Sequence, residues 1–218
     1  MLDGTLEGLG EVIAISEDVQ QMENATAIES VKMEAYEKFA VSEVDEIRVN
    51  ETAEIMAEVF SDDVLASWAE MSLDEKSALL NEYYVKAGAN LGIETRGVIL
   101  EPMPSGTPGM VSFGYNSGDG YIHLNSEVVN DPAQLGQVLE TATHEMRHQF
   151  QSDVLSSPGQ FMDISSNVLS VWEYENDPRN YISPDYDYEG YYNQAIERDA
   201  RSFSEDVLRT YMNRMNLC

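Results

Sequence analysis

An α+β fold is predicted by three observations. Three short β-like runs are crowded between residues 97 and 125, divided by prolines and glycines. Stretches of helical period lie on both sides of them. One of these, residues 131–151, is apolar along a single face, and a small sheet packed on that face is the simplest way to bury it. Residues 1–60 read as an acidic, mainly helical N-terminal region, and residues 61–218 as the domain that contains the sheet.

In chain order, residues 27–40 place Ile28, Val31, Ala35 and Phe39 close to a helical period, and residues 54–60 fit another short helix. Ser72 and Glu75 have the spacing of a capping box. The helix they open should run through Leu79, Leu80 and Tyr83 until Gly88 and Gly92 end it. The β-like runs are residues 97–101, 110–115 and 121–125. Pro102, Pro104, Pro108 and the turn Ser117-Gly118-Asp119-Gly120 separate them, and a mixed or antiparallel sheet accommodates all three. Asp131 as N-cap and Pro132 at the first helical position start the next helix. Residues 153–192, rich in Asp, Asn, Pro and Tyr, read as irregular with room for one short helix, and residues 193–214 as a further helix.

The 218 residues hold 40 acidic and 12 basic side chains, a formal charge of −28 spread along the whole chain. Such a field repels phosphates, so no nucleic-acid partner is expected, and the charge chiefly serves solubility. Cys218 is the only cysteine, which excludes an intrachain disulfide and any cysteine metal cluster. No apolar run approaches the ~18 residues that cross a bilayer. Residues 1–10 lack a basic segment followed by an apolar one, so a cytoplasmic protein is expected, with no membrane partner.

The most informative segment is His144-Glu145-Met146-Arg147-His148, which holds two of the three histidines. Residues four apart share a helix face, so both imidazoles can reach one metal ion. Glu145 falls beside the first of them, where a carboxylate can deprotonate a metal-bound water; the pattern is the zinc-peptidase signature. On a helical wheel Leu135, Leu139, Ala142, Met146 and Phe150 form the apolar stripe expected to meet the sheet. His144 and His148 lie opposite, near Gln137, Thr141 and Gln151, with Glu145 at the border. A helix with these two faces can form the wall of a cleft.

Catalytic zinc usually takes three protein ligands. No histidine follows His148, so the third is a carboxylate or the distant His123. In the 193–214 helix Glu197 and Asp199 flank the apolar stripe Ile196, Ala200, Phe203, Val207 and Tyr211 on opposite sides, and periodicity does not choose between them.

Thr143 to Gln151 followed by Glu197-Arg198-Asp199-Ala200 resembles the minimal gluzincin-type zinc metallopeptidases, in which H-E-x-x-H is completed by a Glu on a later helix. The run 197–203 is similar to the corresponding helix of ImmA/IrrE-like peptidases. The signature itself resembles metallopeptidase domains encoded near bacterial toxin and mobile-element genes. The likeness spans residues 72–214, with its specific part in two short motifs. It implies a zincin-like fold for residues 61–218, zinc as cofactor, and His144, His148 and Glu197 as ligands. By the same resemblance Glu145 is the catalytic base of an endopeptidase acting on peptide or protein substrates. Two features depart from the pattern. Many gluzincins carry an Asp or Asn four residues after the ligand Glu, where this chain has Arg201, so a ligating histidine needs support from elsewhere, with Asp199 or a residue of the 153–192 loop as candidates. The separation of His148 from Glu197 is also long, and makes residues 153–192 an insertion able to cover the cleft.

A tetrahedral oxyanion needs a donor besides the metal, and Tyr191, Tyr192 and His123 are candidates, with His123 better suited to a structural role. The run 121–125 could be an edge strand that pairs an extended peptide. Asp185-Tyr186-Asp187-Tyr188-Glu189 lacks the spacing of an EF-hand loop and reads as solvated. Two competing readings are a non-catalytic zincin-fold protein that binds peptides or partners, against which an intact Glu145 argues, and a metal-free acidic interaction protein.

Overall fold

The computed structural model describes residues 43–103 and 113–217. The helix expected at 27–40 and the first half of the run at 110–115 lie outside the described residues. Among the described residues the first element is α1 (Glu43–Val59), longer than the short helix expected at 54–60. A short α2 (Asp62–Ser67) follows. Next comes α3 (Leu73–Leu91), opened by the Ser72/Glu75 capping box in both its hydrogen bonds and closed by Gly92 at φ 75°. That left-handed conformation costs glycine no steric penalty, which is why the helix ends there.

Strands β1 (Gly97–Glu101), β2 (Gly114–Asn116) and β3 (Tyr121–Asn125) form a mixed sheet in the order β1-β3-β2. β3 pairs parallel with β1 and antiparallel with β2. It is therefore the central strand, with both edges occupied, and cannot be the edge strand that residues 121–125 were expected to form. The edge strands are β1 and β2.

After β3 come α4 (Ser126–Asn130) and a 3-10 turn (Pro132–Gln134), whose first turn is capped by the Asp131 carboxylate. The signature helix α5 (Leu135–Ser156) runs five residues past its expected end at Gln151. The segment 153–192 is more helical than its composition implies. It contains the end of α5, a 3-10 turn at Pro158–Gln160, α6 (Ser166–Asn176) and most of α7 (Tyr188–Asn193). Asp and Asn favour caps as well as loops, and here Ser165 and Asp187 cap α6 and α7. The long helix α8 (Ala195–Arg214) follows.

α5 is central, flanked by β2 and β3, by α3 and by α8. Leu139, Ala142, Met146 and Phe150 are buried as its stripe requires, but the stripe does not end on the sheet: Phe150 packs edge-on against Phe161 and Trp172. The sheet instead meets the flank that bears Val138, Thr141 and Gln149. The stripe of α8, from Ile196 to Tyr211, is buried as expected. α1 adds Ala53, Met56 and Val59 to the same core, and Tyr211 of α8 donates to the Phe60 carbonyl. Residues 43–60 thus share one hydrophobic core with the elements that carry the signature. No helix among the described residues is long and apolar enough to cross a membrane.

Candidate metal centre

α5 and α8 lie side by side, and their contact brings three donor groups to one point. His144 and His148, one turn apart on α5, face each other with their Nε2 atoms 3.1 Å apart. Glu197 Oε2, in the first turn of α8, lies 3.5 Å from His144 Nε2 and 3.4 Å from His148 Nε2. These three residues form a group able to hold a metal ion. Glu197 is 3% exposed, and its Oε2 makes no hydrogen bond. A buried carboxylate oxygen without a hydrogen bond is costly, and a cation bound to it removes the cost. Two imidazoles and one carboxylate are also a donor set suited to a divalent transition metal.

The electrostatics follow from this crowding. Burial opposes ionisation of Glu197, yet the close approach and charge of the His144 and His148 imidazoles hold its carboxyl well below the usual range. Burial opposes protonation of His148, but the Glu197 and Glu145 carboxylates and the Gln151 amide raise it to about 9. In the metal-free site His148 therefore favours its protonated form. Burial pushes Glu145 above the ordinary carboxylate range, with the two histidines acting against it.

The group opens on a cleft of about 560 Å³, lined by Glu145, His148 and Glu197 together with residues 114–118, Tyr181 and Tyr191. Its size is typical of ligand sites. Of the three oxyanion candidates only Tyr191 lines this cleft. Burial and then the Glu197 charge keep its phenol protonated, far above the ordinary value. Tyr192 points elsewhere: its ring carries the Arg201 guanidinium 3.5 Å from the centroid, and its carbonyl accepts from Arg201. His123 stacks on Tyr115 and bonds Glu101 through Nδ1 at 2.8 Å, a structural role on the sheet. Asn176, Pro178, Tyr181 and Tyr191 bring the 153–192 segment to the cleft wall. Tyr181 was not singled out in the sequence, where nothing separates it from eleven other tyrosines.

Asp199 does not reach the histidines. It is bidentate with Arg147, at 2.9 Å for both Nε and Nη2, and accepts from Gln151 Nε2 at 2.7 Å. Arg147, the fourth residue of the signature, is fully buried and also meets Asp45 of α1 at 3.3 and 3.4 Å. Its guanidinium lies 4.7 Å from the Phe150 and Phe203 rings. Neither Arg147 nor Asp45 was identified from the sequence. An arginine between Met146 and His148 gives no periodic signal that it will be internal.

Comparison with family models, with curated proteins and with solved structures finds no match for this chain.

Proposed function

We propose that the chain is a zinc-dependent endopeptidase of zincin-like, gluzincin type, with His144, His148 and Glu197 as ligands and Glu145 as general base. The observation that carries this reading is the donor spacing. Ligand atoms around a tetrahedral zinc with bonds of about 2.0–2.1 Å stand about 3.4 Å apart. The three donor atoms stand 3.1, 3.4 and 3.5 Å apart, beside a cleft that Glu145 also lines.

Zinc at this point supplies Lewis acidity for the scissile carbonyl and for the attacking water. The remaining work falls to the chain. Glu145 accepts the proton of the water as its oxygen bonds to the carbonyl carbon, then passes that proton to the amine nitrogen as the C–N bond breaks. Its raised pKa, set by burial, suits a group that must both take and return a proton. The Tyr191 hydroxyl, kept protonated, donates to the developing oxyanion. The edge strand β2, part of the cleft wall, pairs with the backbone of an extended peptide.

Zinc content and turnover test the reading. Protein purified without chelator should hold about one equivalent of zinc, and less than about half an equivalent overturns the assignment. Glu145→Gln should keep the zinc and lose peptide cleavage by about 100-fold or more. Equal cleavage by both proteins removes Glu145 as the base, and cleavage by neither leaves a metal-bearing binding protein.

A further inference from the structure

We infer that Gln151 is the positioning residue of the metal site, joining two of its ligands through one amide and setting the tautomer of His148. This inference rests on the ligand set proposed above. Gln151 is 1% exposed, one turn beyond His148 on α5. Its Nε2 donates to the Ile196 carbonyl at 2.9 Å and to Asp199 Oδ2 at 2.7 Å. Its Oε1 lies 2.8 Å from His148 Nδ1.

The sense of each bond follows from what the atoms can do. A backbone carbonyl only accepts, and so does an ionised carboxylate, so the Gln151 nitrogen must face Ile196 and Asp199. Its oxygen must then face His148. An amide oxygen only accepts, so His148 Nδ1 must carry the proton. Nε2 is left as the donor atom that faces His144 Nε2 and Glu197 Oε2, 3.1 and 3.4 Å away. Asp199 thus acts on the histidine through Gln151, and Arg147 holds Asp199 in place with two bonds.

The same amide positions the other ligand. Ile196 directly precedes Glu197, and its peptide is gripped on both sides: Gln151 holds the carbonyl, and the buried Glu175 carboxylate accepts from its N–H at 2.9 Å. The first turn of α8 has no side-chain cap of its own. Gln151 and Glu175 supply that anchorage from α5 and α6. The Asp or Asn that many gluzincins use for a ligating histidine is Arg201 here, bound to Tyr192. Gln151 stands in for it from the signature helix itself.

The test uses zinc affinity, by chelator competition, and the nitrogen spectrum of the ligating histidines. Gln151→Met, similar in length but without hydrogen bonds, should weaken zinc binding about 10- to 100-fold. In the zinc-loaded wild type labelled with 15N-histidine, His148 should carry its proton on Nδ1 and the metal on Nε2, and the Nδ1 proton should exchange faster in Gln151→Met. Wild-type affinity in a zinc-loaded Gln151→Met protein overturns the inference and leaves the site intact. Should that variant fail to fold, the wild-type spectrum decides, and zinc on Nδ1 of His148 overturns it. A wild type that takes up no zinc takes down the site and this inference together.

Discussion

Glu197 and Asp199 stand two residues apart in the first turns of α8, both buried, and their surroundings are opposite. Asp199 is saturated, with two bonds from Arg147 and one from Gln151. Glu197 has an inward oxygen that makes no hydrogen bond and faces two imidazole nitrogens. The first arrangement is complete within the protein and contributes to holding α1, α5 and α8 together. The second is incomplete without a cation. Two positions on one helix thus separate a structural carboxylate from the proposed ligand, and what distinguishes them is whether the buried oxygens find hydrogen-bond donors within the protein.

The largest expected effect breaks the structural side. Arg147→Met leaves the Asp199 carboxylate buried without its cation, while Asp45 keeps Arg48 at 3.3 Å, and should cost about 3–5 kcal/mol of stability. Denaturant titration of zinc-free protein measures this. A loss under about 1 kcal/mol would mean that solvent reaches the pair and that the hub is ornamental. Exchange of the two carboxylates' roles is the next test. Glu197→Ala should weaken zinc binding about 100-fold or more while the zinc-free fold survives. Asp199→Ala should weaken zinc less, through Gln151, and destabilise the fold more. The reverse order in zinc affinity moves the third ligand to Asp199.

The smallest effect sharpens the contrast by pH. His148 in the metal-free site is raised to about 9, above the ordinary ~6.5. The stability that its protonated form contributes is complete below about pH 6.5 and is lost as pH rises toward 9. The melting temperature of zinc-free protein should therefore fall by several degrees over that interval, and His148→Asn should flatten the slope. Zinc competes with the same proton, so its affinity should rise as the melting temperature falls. Burial works against the charge of Arg147, but Asp199 and Asp45 raise its pKa further, so Arg147 keeps its charge across this interval. An equal slope in wild type and His148→Asn would assign the effect to another group.

Much of this was legible in the chain because it depends on short-range rules. The capping box of α3 and the turn of helix that puts His144 beside His148 follow from spacing within four residues, and the buried stripe of α8 from its helical period. The edge position of β2 was not legible. Strand order is a pairing decision among segments, and the run at 121–125 carries no mark of being central. The helices of the 153–192 segment were hidden for a related reason, since Asp and Asn signal a cap and a loop alike.

By itself, the sequence determined the α+β class, the two-histidine face and the narrowing of a third donor to a carboxylate or His123, since each rests on local periodicity or on the count of histidines. Only the tertiary structure decided which carboxylate faces the histidines, which tyrosine reaches the cleft, and that Arg147 is internal. Those outcomes depend on the packing of α8 against α5 and of α1 against both, across separations of 52 and 102 residues in the Arg147 contacts alone. Burial then turns each such contact into an energetic requirement, because a charge removed from water must meet its partner.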